Sequence, residues 1–453
     1  MRITQLTGLF ILSLLLNHGI LQAAPDGREG FRRLKYGLFV HYVWAGKSSL
    51  TVDHAGRRLK SLDELAEAFD VKGFADDLAA WQIEYVIFTA WHAGINPLFP
   101  SETMKKWGLD NHYCKRDLLG EIITALDPKG IQVMFYTHPR DGHDLSPADQ
   151  RKTGWNGSVG GNPDWQKFDY QRWNDFNNDL YAELVQRYGK RILGLYLDEG
   201  SAVGDSQRVV DYPRLRKTIK AGNPDLLMGQ NYYGTLYTCD FGDLEYHHWR
   251  EFANRDGGFW PANRMPVGTC FATTWMAVRP AGTNTVVFSA EDMFRYTVLQ
   301  AGVNTEGGGV QWATGPYAGG GWETGVDETM RRVAGYIKPI AASIKGVYAS
   351  RVFPTRDGMT FHSTAWGAPK LEWGVATDAP DGSVTYLHVL KPPSGKSLRI
   401  GMPANGERFA QATLLSSGAK VELHFDAAGY VVQFPPGLEW DRLDTVICLQ
   451  RKN

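Results

Sequence analysis

The chain is poor in the features that would point it toward several common classes. It has four cysteines, Cys114, Cys239, Cys270 and Cys448, far apart and without a Cys-x-x-Cys spacing, so a zinc site of the usual kind is disfavoured and no disulfide framework is imposed. No Lys/Arg run stands out and the formal net charge is −1, which gives no footing for nucleic-acid binding. Beyond the amino terminus there is no apolar stretch of the roughly 20 residues that a membrane-spanning helix needs. The first apolar strand is not followed by a Gly-rich dinucleotide fingerprint, and Gly307-Gly308-Gly309 and Gly319-Gly320-Gly321 lack the Lys-Ser/Thr of a phosphate cradle, so they read as turns. No internal repeat or low-complexity tract is present. No cofactor and no metal are therefore expected. His247-His248 do not form a ligand pair, because adjacent residues rarely bind one ion.

What is present is a large apolar fraction, 43% over 453 residues, together with 50 glycines and 15 tryptophans. That supports a sizeable core, many loops and aromatic platforms of the kind sugar sites use. Met1-Arg2, the apolar stretch Leu6–Leu16 and the small residues Ala23 and Ala24 read as a secretory leader, residues 1–24, and hence as export to a periplasmic or extracellular location. Removing it leaves no membrane span expected in the mature chain.

Short apolar runs alternate with amphipathic stretches from Phe31 to about Lys345. Strands are expected at 36–42, 84–89, 131–137, 192–197, 226–230, 269–274, 286–289 and 309–314. Helices are expected at 62–81, 118–127, 173–188, 208–221, 292–301 and 328–344. Strands apolar on both faces, separated by helices, indicate a parallel sheet covered by helices. About eight such units predict an α/β fold, a (β/α)8 TIM-like barrel over 25–346. After Gly346 the texture changes to alternating runs bounded by Pro/Gly/Asp turns, which predicts a C-terminal antiparallel β-sandwich over 347–453.

In such a barrel, chemistry is carried at the carboxyl ends of the strands. The residues there are His41, Thr89 to His92, Tyr136 to His138, Asp198 with Glu199, Asn231, Trp275 and Trp312. Asp198 is the sharpest case: a carboxylate following the apolar run Ile192–Leu197 is costly to desolvate unless it is paired or used. Pairing with an arginine or capping the next helix are the alternatives. A glycosidase needs a second acid, for which Asp240, Asp243, Glu245 and Glu251 are the candidates. Glu199 would tend to point away from its neighbour. His138 and His143 flank the turn-rich Pro139–Gly142 and are expected at the surface.

Taken in order, several segments resemble the α-L-fucosidases of glycoside hydrolase family 29. Phe31–His41 resembles that family's first strand, with its sugar-binding His. Phe69-Asp70 through Trp81 and Tyr85–Thr89 resemble its first helix and second strand. Trp91-His92-Ala93-Gly94-Ile95 lies on its His-His-acid-Gly-Phe motif, Arg116–Glu121 on Arg-Asp-Leu-Val-Gly-Glu, and Gly309–Pro316 on its glycine-led late strand. The resemblance implies a retaining glycoside hydrolase with Asp198 as nucleophile and Glu245 as acid/base. It also implies a substrate pocket that includes His41, Trp91, His92, Tyr136, Tyr196 and Asn231, acting on oligosaccharide or polysaccharide. Departures are clear: Trp91 stands for a His, Ala93 for an acid, Tyr42-Val43 for Trp-Gly, and Gln230-Asn231-Tyr232-Tyr233 for Asn-Asp-Arg-Trp. An endo-acting or other-sugar hydrolase on the same barrel, or a non-catalytic carbohydrate-binding relative, therefore remain open alternatives.

Overall fold

The computed structural model describes residues 27–140, 142, 144–156, 169–198, 209–231, 239–246, 266–270, 276–286, 288–303, 309–354 and 373–452; for 231, 242–246 and 266–270 it describes the backbone alone. The leader-like residues 1–24, Glu199, His143, His247, His248, Glu251 and Trp275 lie outside the described residues.

Eight parallel strands close into a barrel in chain order: β1 (Tyr36–Val40), β2 (Tyr85–Thr89), β3 (Gln132–Thr137), β4 (Gly194–Leu197), β5 (Leu227–Asn231), β6 (Phe241–Tyr246), β7 (Pro266–Cys270) and β8 (Val310–Ala313), with β8 returning to β1. Seven of the expected strands are close to where hydrophobicity puts them. The exception is informative: β6 occupies 241–246, a stretch read as loop, while the described residues 286, 288 and 289 belong to no strand. Phe-Gly-Asp-Leu-Glu-Tyr does not read as an apolar run, because two of its alternate positions are acids. Phe288 of the rejected segment instead packs on Trp312, ring centroids 5.8 Å apart, outside the barrel.

Helices cover the strands as expected, with local corrections set by caps. The expected helix 62–81 breaks into Leu62–Glu67 and α2 (Val71–Ala80), because the Asp70 side chain accepts from the Gly73 N–H and starts a new helix. Asp117 does the same for α3 (Leu118–Leu126), and Asp211 for α5 (Tyr212–Gly222), which follows α4 (Gln171–Tyr188). Then come α6 (Ala290–Val303), α7 (Val326–Ile337) and the short α8 (Ala341–Ile344).

The first helix, α1 (Gly27–Arg33), closes the amino-terminal end of the barrel. Its Phe31 packs on Tyr85 and Phe241 at 5.4 and 4.9 Å. Gly37 and Gly229 make room for these rings: a Cβ at either would lie 2.3 or 2.2 Å from the Tyr85 or Phe241 ring. These contacts fix which face of each strand looks inward. Gly37, Phe39 and His41 share it in β1; Tyr136 and His138 in β3; Tyr196 and Asp198 in β4; Phe241 and positions 243 and 245 in β6.

The chain enters a second sheet at β9 (Tyr348–Ala349) and continues through β10 (Gly374–Asp378), β11 (Val384–Val389), β12 (Ser397–Gly401), β13 (Phe409–Leu414), β14 (Lys420–Asp426), β15 (Gly429–Gln433) and β16 (Thr445–Arg451). The order is β9-β10-β11-β16-β13-β14-β15-β12, antiparallel throughout. Its two ends fold over a common core of Ala376, Leu387, Ile447 and Leu449 against Leu398, Ile400, Tyr430 and Val432, the arrangement of a sandwich. Among the described residues no helix is long and apolar enough to cross a membrane.

Candidate active site

Asp198 extends β4 by one residue. Its N–H donates to the Thr137 carbonyl at 2.9 Å, continuing the ladder in which Tyr136 faces Tyr196. The strand end is secured from behind: the Thr137 hydroxyl donates to the Tyr196 carbonyl at 2.9 Å, and the Tyr181 hydroxyl of α4 donates to Thr137 Oγ1 at 2.7 Å. Thr137 points outward to the helices, so its neighbours Tyr136 and His138 point inward. The carboxylate of Asp198 is partly exposed and accepts a hydrogen bond from the Tyr136 hydroxyl. It is therefore not sealed from the cavity.

Around it stands a cluster of rings. Tyr136 stacks on Tyr196 (5.6 Å, 19°) and on His92 (5.5 Å, 15°), and His41 lies 4.6 Å from Tyr136 and 5.3 Å from His92. Phe39 forms the floor, 5.1 Å from both His41 and Tyr196. Burial drives the His41 imidazole down to about 4, partly opposed by the Asp198 carboxylate and reinforced by His138. His41 is consequently neutral near pH 7, with one ring nitrogen able to donate and the other to accept, which suits a sugar hydroxyl.

Of the residues expected at a substrate pocket, His41, His92, Tyr136, Tyr196 and Asp198 come together. Trp91 does not join them: fully buried, it packs edge-on against Tyr181 at 5.1 Å, in the helix layer behind β3, and buttresses the wall. Asn231 ends β5 and Glu245 lies in β6; their side chains lie outside the described residues, but their positions follow from register. Leu197 pairs with Gln230 and Asn231 with Asp243, so 198, 231 and 243 lie at one level, with 245 two residues nearer the mouth on the inward face. Asp240 is excluded as an acid facing Asp198. It precedes β6 at the other end of the barrel, bound to Arg216 at 2.7 Å and Lys220 at 2.9 Å. Burial pushes its carboxyl up, yet those two cations outweigh burial and hold it below the ordinary carboxylate value.

His138 corrects the surface expectation. It is 3% exposed and its ring lies 5.3 Å from His92. The available signal was its place two residues after Tyr136, on the same face. Phe39 was hidden among apolar strand residues. Among the described residues no three His, Cys, Asp or Glu side chains converge as a metal-ligand set, and Cys114, Cys239 and Cys448 are buried thiols.

Residues 60–220 match the family model described as Alpha-L-fucosidase. No curated protein sequence matches the chain. Among solved structures, α-L-fucosidase isoenzyme 1 from Paenibacillus thiaminolyticus superposes with a TM-score of 0.63 at 20% identity, over 94% of this chain and 100% of that one. A family 29 α-L-fucosidase from Bacteroides thetaiotaomicron superposes with a TM-score of 0.67 at 16% identity, over 95% of each chain. The α-fucosidase of Thermotoga maritima, solved with a mechanism-based inhibitor, gives 0.58 at 15%, over 93% and 96%. At these identities the superpositions establish the fold. Together with the family match they make the chain similar to a divergent α-L-fucosidase and support glycoside hydrolase activity.

Proposed function

We propose that this chain is an exported, retaining glycoside hydrolase that removes terminal α-L-fucose, or a closely related sugar, from glycans. The observation that carries the reading is the inward, partly exposed Asp198 carboxylate, oriented by Tyr136 and ringed by His41, His92, His138 and Tyr196.

In the first step Asp198 attacks the anomeric carbon and the glycosidic C–O bond breaks, giving a covalent glycosyl ester. The Tyr136 hydroxyl holds the carboxylate in one orientation and stabilises its anionic form until attack. The departing oxygen takes a proton from Glu245. In the second step Glu245 removes a proton from water, whose oxygen attacks the same carbon and frees Asp198. Neighbouring strands are about 4.8 Å apart, so β4 and β6 are separated by about 10 Å across β5. Backbone positions 198 and 245, on strands two apart at the mouth, support a pair at the roughly 5–5.5 Å that retention requires. Asp240 is already engaged elsewhere, which favours Glu245 among the acids of this segment. Neutral His41, with His92 beside it, would hold sugar hydroxyls. Export is supported by the leader-like composition of residues 1–24.

The test is covalent trapping. Incubation with 2-deoxy-2-fluoro-fucosyl fluoride should add one fluorofucosyl unit to the intact protein, and peptide mapping should place it on Asp198. Label on another residue, or turnover that survives Asp198→Ala, refutes the assignment.

A further inference from the structure

At the seam between α1 and the carboxy-terminal sheet lies a cavity of about 340 Å³, bordered by α1, β9, the β10–β11 turn and the end of β16. Because Phe31 of α1 plugs the amino-terminal end of the barrel, this cavity is remote from Asp198, at the opposite end of the strands.

Three guanidinium groups line it, from Arg32, Arg351 and Arg451. Two are matched by acids. Arg32 pairs with Glu29 at 3.5 Å, and Glu29 also accepts from the Tyr348 hydroxyl. Arg451 pairs with Asp378 at 3.1 Å and with Glu407 at 3.9 Å. Asp378 is saturated besides, accepting from Ser350, Thr385 and the Arg351 N–H. The Arg351 side chain is exposed and has no ion pair or hydrogen bond among the described residues. Arg451 Nε is buried without a hydrogen-bond partner. The remaining wall is ring and aliphatic surface, Tyr348, Val352 and Pro380, with the Asn405 amide at the rim. The volume lies at the small end of the roughly 300–1,000 Å³ typical of small-molecule sites, enough for one sugar unit.

We propose that this seam cavity binds a single acidic sugar residue, one bearing a carboxylate or a sulfate ester, with Arg351 taking the anion and the Tyr348–Pro380 wall taking the apolar face of the ring. A planar guanidinium without an acid partner presents the paired donors that carboxylate and sulfate oxygens accept. Such a site would hold an acidic glycan on the enzyme while the barrel mouth stays open. It does not depend on the identity of the sugar cleaved at Asp198.

Calorimetric titration of the whole protein with glucuronate, glucose 6-sulfate, inorganic sulfate and glucose tests this. At least one of the two acidic sugars should bind, and glucose should not. Arg351→Ala should weaken that binding about tenfold or more and Arg351→Glu should abolish it, with melting temperature and aryl-fucoside hydrolysis unchanged in both. The choice between glucuronate and glucose 6-sulfate identifies the anion. The proposal is overturned if neither acidic sugar binds, if Arg351→Ala leaves their affinity unaltered, or if inorganic sulfate binds as tightly as the sugars, the behaviour of an adventitious ion only.

Discussion

The Tyr136 hydroxyl donates a hydrogen bond to Asp198 Oδ2 across two adjacent strands whose register sets Tyr136 opposite Tyr196. The orientation of the carboxylate is thus written into the ladder between β3 and β4. Tyr136→Phe keeps the ring stack on Tyr196 and His92 and deletes the donor. A hydrogen bond to a charged group is worth about 1.5–3 kcal/mol, so kcat on an aryl α-L-fucoside should fall about 10- to 100-fold. The melting temperature should move little. An unchanged kcat would remove Tyr136 from the positioning role.

His41 gives a pH signature in stability. Burial lowers its folded-state value to about 4, against 6.5 for the ordinary group. Between these values the unfolded chain binds a proton that the folded chain refuses, so stability rises with pH in this window. The contribution is complete above about pH 6.5 and is lost as pH falls through about 4, a difference of roughly 3 kcal/mol. Denaturant melts from pH 7 to 4 should be steeper in the natural chain than in His41→Gln. Parallel curves would contradict a neutral, buried imidazole.

Much of this architecture is legible because parallel barrel strands are apolar on both faces. β1 to β4 stand out as apolar and aromatic runs, and Asp198 stands out as the charge that ends one. β6 hides for the converse reason: its inward positions 243 and 245 are acids, so hydrophobicity reads it as a loop. Aromatic residues at strand ends mislead when only their sequence position is known. Trp312 donates from Nε1 to Thr297 of α6 at 3.3 Å and faces the helices, as Trp91 does toward Tyr181, whereas His138, two residues after inward Tyr136, faces the site. Face parity, fixed by Phe31 against Tyr85 and Phe241, separates these cases; hydrophobicity alone does not.

The acid/base assignment has a kinetic signature distinct from that of the nucleophile. Glu245→Gln should slow hydrolysis of glycans, whose leaving group needs a proton, by about 10²–10⁴-fold. An aryl fucoside with a good leaving group should be cleaved with a much smaller loss in the first step, so the glycosyl ester accumulates and azide restores turnover by attacking it without base assistance. The basic limb of the pH–rate profile should disappear with Glu245. If instead Asp243→Asn shows this pattern and Glu245→Gln does not, the acid lies one level deeper on the same face of β6.

The sandwich is joined to the barrel by buried side-chain hydrogen bonds. His388 Nδ1 lies 2.7 Å from Asp444 Oδ2, and its Nε2 faces the Ser343 carbonyl of α8 at 3.2 Å, with both side chains almost wholly buried. Thr377 of β10 donates to the same carbonyl at 2.6 Å. Two sandwich strands therefore converge on one backbone oxygen at the last barrel helix. Removing one partner leaves a buried polar group unmatched, a loss of about 1–3 kcal/mol. Asp444→Ala and His388→Ala should each lower the melting temperature by several degrees, and the double variant should cost less than the sum, since the second change removes the group that the first left stranded. Because the pair lies on the helix side of the sheet and away from Asp198, kcat per folded molecule should be unaffected at temperatures below the transition. Strict additivity in the double variant would show that the two residues act separately and that the seam is held by packing alone.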